Sequence, residues 1–135
     1  MTLVTTSRRS TPVIRSIAKD LAFATGARYL ARGKHGLREI AEEDDIFIII
    51  EQQKSDNLIT LYDEGVPSQR RIIKKHESGI REGAFVRGIR TSDKALGSLL
   101  ENSSPVQYID DERLILIFDG PQKRCMKLTL IPVVT

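Results

Sequence analysis

Five consecutive large apolar residues, Ile46 to Ile50, constrain the fold of this chain more than any other segment. Successive side chains of a strand point to opposite faces of a sheet, so a strand that is apolar at every position must be covered on both faces. Helices usually provide this cover. The segment therefore predicts the central strand of an α/β fold with helices on both sides.

A helix is predicted after a short first strand at residues 2–5. Thr11 is a suitable N-cap and Pro12 a suitable first helical residue. Apolar residues then recur at helical spacing, and Gly26 is expected to end the helix. These apolar residues are Ile14, Ile17, Ala18, Leu21 and Ala22. A second helix is predicted near residues 37–43.

The remaining pattern indicates a duplicated half. We predict strands at residues 28–30, 58–62, 70–75 and 85–90, a short helix capped by residues 91–93, and a hairpin of residues 114–118 with 126–134. A strand, a Thr-Ser pair and a helix occur twice, at Thr6-Ser7 and at Thr91-Ser92. The chain is therefore predicted to have two pseudo-repeated halves, residues 1–64 and 65–135, joined near Asp63 to Ser68, with a mixed sheet and flanking helices.

The composition is that of one soluble globular domain. The chain has 135 residues, of which 40% are hydrophobic and 29% charged. Its single cysteine, Cys125, cannot form an intramolecular disulfide and is compatible with a reducing compartment. The longest apolar run is too short for a membrane span, and the N-terminus lacks the apolar stretch of a secretory signal. A cytoplasmic protein without a membrane partner is predicted.

Charge is segregated along the chain. Residues 1–41 carry eight basic and two acidic side chains, a net charge of +6. Residues 66–90 carry seven basic and two acidic side chains, a net charge of +5. The rest of the chain has a net charge of −8, so the overall charge is only +3. Two basic blocks in an acidic remainder predict a surface for a polyanion, with RNA as the leading candidate. With 5% aromatic residues and no Trp, phosphate contacts should outweigh base stacking.

The first candidate site is the loop that enters the first helix. A helix N-terminus attracts phosphate through unpaired N–H groups, hydroxyls add donors, and arginines bind phosphate oxygens in bidentate fashion. An ordinary capped helix explains the Ser and Thr residues but not the arginines. We assign RNA binding to Thr6, Ser7, Arg8, Arg9, Arg15 and Lys19.

Two further candidates lie in loops and strands. In the loop Arg32-Gly33-Lys34-His35-Gly36, two glycines would let the backbone approach an anion, and Arg32, Lys34 and the nearby Arg38 are assigned to RNA. The loop is not a nucleotide-binding P-loop, because the glycine spacing is wrong and His35 replaces the Mg²⁺-binding hydroxyl residue. A flexible turn is the alternative. Arg70 and Arg71 form the third candidate, whereas Lys74 and Lys75 more simply protect a sheet edge.

The duplication adds a geometric expectation. In open α/β sheets, ligands bind where strands end and helices begin. If both Thr-Ser loops lie at such ends, Arg87 and Arg90 would share a surface with Arg8, Arg9 and Arg15. We therefore add Arg87 and Arg90 to the predicted RNA site.

No catalytic constellation is visible in the sequence. Two histidines and one cysteine have no zinc-binding spacing, and neither Gly-x-Ser-x-Gly nor His-Glu-x-x-His occurs. Four consecutive acids at residues 42–45 indicate a solvated helix end, and Cys125 a small buried side chain. An enzyme is not predicted, nor are a metal or a cofactor.

Several of these segments together resemble a known family. Residues 3–8, then 15–21, then Arg32-Gly33-Lys34 and Leu37-Arg38-Glu39-Ile40 are similar to the N-terminal half of Brix-domain proteins. The likeness is to small stand-alone archaeal members related to the Imp proteins of the U3 small-nucleolar ribonucleoprotein. The resemblance implies a single Brix-like domain similar to the anticodon-binding domain of class II aminoacyl-tRNA synthetases. It also implies ribosome biogenesis, binding to ribosomal RNA and its precursors, and no catalysis.

The sequence therefore favours an RNA-binding ribosome biogenesis factor whose basic loops hold phosphates of ribosomal RNA or its precursor. Other ribosome assembly proteins are further candidate partners. The alternative is a protein-interaction scaffold whose acidic regions dock basic ribosomal proteins. An RNA-modifying enzyme ranks third.

Overall fold

Nine strands and two helices are defined in the computed structural model, which describes residues 2–7, 9–31 and 46–133. The first part contains β1 (Thr2–Thr6), α1 (Pro12–Thr25), β2 (Arg28–Leu30), β3 (Ile46–Gln53), β4 (Asp56–Asp63) and β5 (Val66–Ile80). The second contains β6 (Ile89–Thr91), α2 (Lys94–Leu100), β7 (Val106–Tyr108), β8 (Leu114–Asp119) and β9 (Arg124–Pro132). The helix predicted near residues 37–43 lies outside the described residues.

All nine strands belong to one mixed sheet, in the order β2-β1-β3-β4-β5-β9-β8-β6-β7. The β1–β2, β1–β3 and β6–β7 pairs are parallel, and the other pairs are antiparallel. The order is mirrored about β5, with a parallel strand–helix–strand unit at each edge. This confirms the predicted α/β class with two pseudo-repeated halves. The repeat is imperfect, since β1 is parallel to β3 whereas β6 is antiparallel to β8.

β3 is buried on both faces, as its sequence predicts. On one face Ile48 and Ile50 join a large cluster that contains residues of α1, α2 and most strands. On the other face Phe47 and Ile49 pack with Leu3 in a smaller cluster. Both described helices therefore cover the same face of the sheet, and no helix of the described residues covers the other face, where the sequence also predicted one.

The ends of α1 follow the predicted capping chemistry. Thr11 Oγ1 accepts a hydrogen bond from Ile14 N–H at 3.2 Å, and Pro12 occupies the first helical position. Gly26 ends the helix in the left-handed region with φ 74°. Its backbone N–H donates to the Ala22 carbonyl, which satisfies an otherwise unpaired group. No helix in the described parts of the chain could span a membrane.

The segment predicted to join the halves is a tight hairpin. β4 ends at Asp63 and β5 begins at Val66, with Glu64 and Gly65 at positive φ between them. β5 then pairs with β4 on one side and β9 on the other. The division of the chain into two halves at this point stays a prediction.

Residues 85–90 do not form the strand that was predicted there; β6 begins only at Ile89. The backbone N–H groups just before β6 donate hydrogen bonds to groups outside the sheet ladder. Val86 N–H donates to Asp119 Oδ2 at 3.0 Å, and Gly88 N–H donates to the Ala24 carbonyl at 2.6 Å. Gly88 also has φ +100°, which a strand does not accommodate.

Candidate nucleic-acid interface

The loop before α1 is built largely by its own hydrogen bonds. Thr6 is buried, and its hydroxyl donates to the Ser7 carbonyl at 3.1 Å. Arg15 Nη1 donates to the Ser10 carbonyl at 2.5 Å, so this side chain also shapes the loop. Arg9 is exposed, and its side chain has no partner among the described residues. Among the described residues, the loop therefore offers the Arg9 guanidinium as an unpaired cation at the mouth of α1; Arg8 lies outside the described residues.

Exposed side chains continue along the outer face of α1. Arg15, Lys19 and Phe23 are spaced four residues apart, and all three are exposed. Residues four apart lie on the same helix face, so the line from Arg15 to Phe23 extends about 12 Å along the axis. Lys19 Nζ lies 5.7 Å from the centre of the Tyr29 ring. We call Arg15, Lys19 and Phe23 the outer line of α1.

Three predicted site residues are not described. Arg32, Lys34 and Arg38 lie in residues 32–45, together with the Gly-rich loop and the second predicted helix. Their assignment to RNA stays a prediction.

Arg70 and Arg71 are adjacent in sequence but have different environments. Arg71 Nε donates to Asp93 Oδ2 at 2.7 Å, and Arg71 Nη2 donates to Asp93 Oδ1 at 3.2 Å. The two side chains are only 13% and 3% exposed. Asp93 also caps α2, because its Oδ1 accepts from Leu96 N–H at 3.1 Å. Arg71 thus holds α2 on the sheet, whereas Arg70 is exposed and unpaired within the described residues.

Arg90 is likewise held by an acid. Arg90 Nη2 donates to Asp119 Oδ1 at 2.7 Å, and the Asp119 side chain is 3% exposed. Burial alone would raise the pKa of Asp119, but hydrogen bonds from Val86 N–H and Arg90 keep the pKa below its ordinary value. Cys125, which is half-buried and not fully buried as predicted, contacts the same carboxylate. Burial and this negative charge raise the pKa of its thiol.

Arg87 lies at the C-terminal end of α1. Its Nη1 donates to the Phe23 carbonyl at 2.7 Å, in the last turn of the helix. Arg9 and Arg15 lie at the N-terminal end of the same helix. Arg87 therefore does not lie at the mouth of α1 beside Arg9 and Arg15, as the duplication predicted, because the hydrogen bond from Gly88 to Ala24 brings the start of β6 to the opposite end of the helix.

The two Thr-Ser loops themselves are closer. Thr6 pairs with Ile50, Ile50 with Ile59, and Ile59 with Arg71, so Thr6 and Arg71 lie in one cross-strand row. Three strand spacings separate them by about 15 Å. Since Arg71 binds Asp93, the N-terminus of α2 lies toward the same end of the sheet as the end of β1.

Sequence reasoning also missed the buried acid Asp20 and its partner. Asp20 is 1% exposed, and its carboxylate binds Arg124 at 2.8 and 3.1 Å. A signal was available, because Asp20 lies between Ile17 and Ala24 on the apolar face of α1. A charged residue there requires a buried partner, although the sequence does not identify it. No group of three metal-binding side chains converges in the parts of the chain that are described.

In the described residues, the fold defined by these contacts is a mixed nine-stranded sheet with two helices on one face and basic side chains along the first of them. It is also the fold of Mil, an archaeal Imp4-like protein, with a TM-score of 0.65 and 20% sequence identity over 95% of each chain. A probable ribosomal biogenesis protein from Aeropyrum pernix K1 is similar, with a TM-score of 0.64 and 22% identity over 99% of this chain and 97% of that one. No protein-family model and no curated protein matches the sequence. The predicted resemblance to stand-alone archaeal Brix-domain proteins is confirmed at the level of the fold.

Proposed function

We propose that this protein is a non-enzymatic, cytoplasmic ribosome biogenesis factor that binds ribosomal RNA or its precursor during subunit assembly. The fold that this chain shares with a probable ribosomal biogenesis protein supports a role in ribosome biogenesis. The observation that carries RNA binding is the run of exposed basic side chains from Arg9 through Arg15 to Lys19, none of which pairs with a carboxylate of the described residues. These side chains contact successive phosphates, and the positive end of the α1 dipole adds a partial positive charge.

The arginines divide into two groups in this proposal. Arg71 and Arg90 are engaged by Asp93 and Asp119, so their charge is already neutralised. Arg9 and Arg70 are exposed and have no such partner in the described chain. Phosphate binding is therefore assigned to the second group together with Arg8, Arg15 and Lys19.

A scaffold that docks basic ribosomal proteins is the second candidate. A surface cavity of about 430 Å³ is lined by Asp63 and Glu64 together with the end of α2, and it could receive a basic side chain. Pull-down of ribosomal proteins from RNase-treated extract, lost on replacing Asp63 and Glu64 by Asn and Gln, would favour this function over RNA binding.

A salt titration tests the proposed function. If about six phosphates are contacted, affinity for a ribosomal RNA fragment should fall on the order of a thousandfold between about 50 and 200 mM salt, because counterion release is then less favourable. The measurement is filter binding or fluorescence anisotropy at several salt concentrations. Absence of binding to ribosomal RNA at the lowest salt would refute the proposal.

Replacing both Arg8 and Arg9 by Ala should weaken RNA binding by roughly 1–3 kcal/mol, because two charge-assisted hydrogen bonds are lost. The melting temperature should stay the same, since Arg9 is exposed and its side chain forms no hydrogen bond or ion pair with the described residues. Anisotropy titration measures the first effect and circular dichroism the second. The control replaces Lys74 on β5 and Lys127 on β9 by Ala; it removes the same charge and should bind like the wild type. Equal loss in both variants would mean that only net charge matters.

A further inference from the structure

Two phenylalanine side chains meet at the C-terminal end of α1 and remain accessible. Phe23 points outward from the helix and is 44% exposed. The Phe85 ring, from the segment before β6, packs against it edge-to-face with centroids 5.1 Å apart. Val86 beside it is 45% exposed. Packing against α1 therefore leaves an exposed apolar surface that the fold itself does not use.

Two guanidinium groups are fixed around the same ring. Arg87 Cζ lies 5.1 Å and Arg81 Cζ 5.5 Å from the centre of the Phe85 ring. Backbone carbonyls hold both groups, because Arg87 donates to the Phe23 carbonyl and Arg81 to the Gly120 carbonyl, each at 2.7 Å. Within the described residues no carboxylate pairs with either guanidinium. The cluster thus combines planar side chains with partly apolar surface and positive charge.

We propose that this aromatic–arginine cluster, formed by Phe23, Phe85, Arg81 and Arg87, binds an unpaired base of the RNA by stacking, an inference that rests on the proposed function. Unpaired bases stack on aromatic rings and on guanidinium planes, and the positive charge attracts the adjoining phosphate. An apolar peptide would provide no negative charge for the two guanidinium groups, which no carboxylate of the described residues neutralises.

The position of the cluster supports the same ligand. Phe23 ends the outer line of α1, one helical turn beyond Lys19 and two beyond Arg15. A strand whose phosphates follow Arg15 and Lys19 arrives at Phe23 after about 12 Å. Arg15 and Lys19 then bind the RNA backbone, and the aromatic–arginine cluster selects RNA with an unpaired base.

The test compares two RNAs that differ in one nucleotide. The first is a duplex, and the second is the same duplex with a single bulged 2-aminopurine, whose fluorescence falls when it stacks. Wild-type protein should bind the bulged RNA roughly 5- to 150-fold more tightly and quench its fluorescence. Phe23→Leu should bind both RNAs equally without quenching, and Phe23→Tyr, which keeps a planar ring, should retain the preference. Val13→Ala, which trims a residue with 42% exposure at the other end of α1, is the control and should behave like the wild type.

The outcomes separate this inference from the proposed function. If neither RNA binds at low salt, the proposed function is wrong and the stacking site with it. If both RNAs bind wild type equally and Phe23→Leu changes nothing, the stacking site is wrong while RNA binding stands. Phe23→Leu could also lose the preference through a fall in its melting temperature. Phe23→Tyr, at wild-type stability, must then show the preference for the bulged RNA. If Phe23→Tyr does not, the role of Phe23 is structural and the stacking site is wrong. If an acidic peptide binds only when Phe23 is present and displaces neither RNA, the cluster is a site for a protein partner and the inference is wrong.

Discussion

Replacing Arg71 by Met should lower the free energy of unfolding by about 3–5 kcal/mol, because it leaves the buried Asp93 carboxylate without its cation. Asp93 is 3% exposed and cannot be rehydrated without moving the N-terminus of α2. Met keeps most of the apolar volume of the arginine side chain, so the loss reports on charge pairing. Urea denaturation followed by circular dichroism measures the effect.

The neighbouring Arg70 is a matched control for this experiment. Arg70→Met removes the same charge one residue away, from an exposed side chain, and should change stability by no more than about 0.5 kcal/mol. In RNA binding we expect the reverse order, with Arg70→Met weakening affinity at full stability. The double variant Arg71→Met with Asp93→Ser, which keeps a capping hydroxyl but removes the buried charge, should recover much of the lost stability. Equal stability of the two single variants would show that the Arg71–Asp93 pair is not what holds α2 in place.

Gly88→Ala is expected to destabilise the protein by about 3 kcal/mol or more, through strain and overlap together. Gly88 has φ +100°, a conformation that residues with a Cβ rarely adopt. An added Cβ would overlap with the Pro105 carbonyl oxygen, and a backbone atom cannot move aside as a flexible side chain can. The shift would also disturb the hydrogen bond from Gly88 to Ala24 that attaches β6 to α1.

Gly83→Ala provides the comparison for Gly88→Ala. A Cβ at Gly83 meets nothing within 4 Å, and this glycine lies in the same segment before β6. Thermal melts of the two variants should therefore differ by many degrees, with Gly83→Ala close to the wild type. If the two variants had the same melting temperature, the segment before β6 would be able to shift freely, and its attachment to α1 would contribute little to stability.

The sequence was sufficient for features that depend on neighbouring residues. Thr11, Pro12 and Gly26 define the ends of α1 through local capping chemistry, and the apolar run in β3 shows that both its faces are buried. The hairpin of β8 and β9 follows from turn residues between two apolar segments. In each case the information lies within a few residues of the element.

The roles of individual arginines could not be predicted in the same way. Arg71 and Asp93 are 22 residues apart, and Arg90 and Asp119 are 29 apart. The two residues of each pair meet only in the folded sheet. A basic block in the sequence therefore does not distinguish an arginine that stabilises the fold from one that is free to bind a ligand. The segment before β6 was misread for a related reason: its hydrogen-bond partners are Asp119 and Ala24, which belong to distant elements.

The strand order also has a consequence for synthesis on the ribosome. β6, β7 and β8 reach β5 only through β9, which follows all three of them in the chain. While the nascent chain lacks β9, β5 has one open edge and the three preceding strands have no place in the sheet. Closure of the sheet must therefore wait for β9, and during that interval the nascent protein exposes backbone N–H and C=O groups along β5 with which other chains could pair.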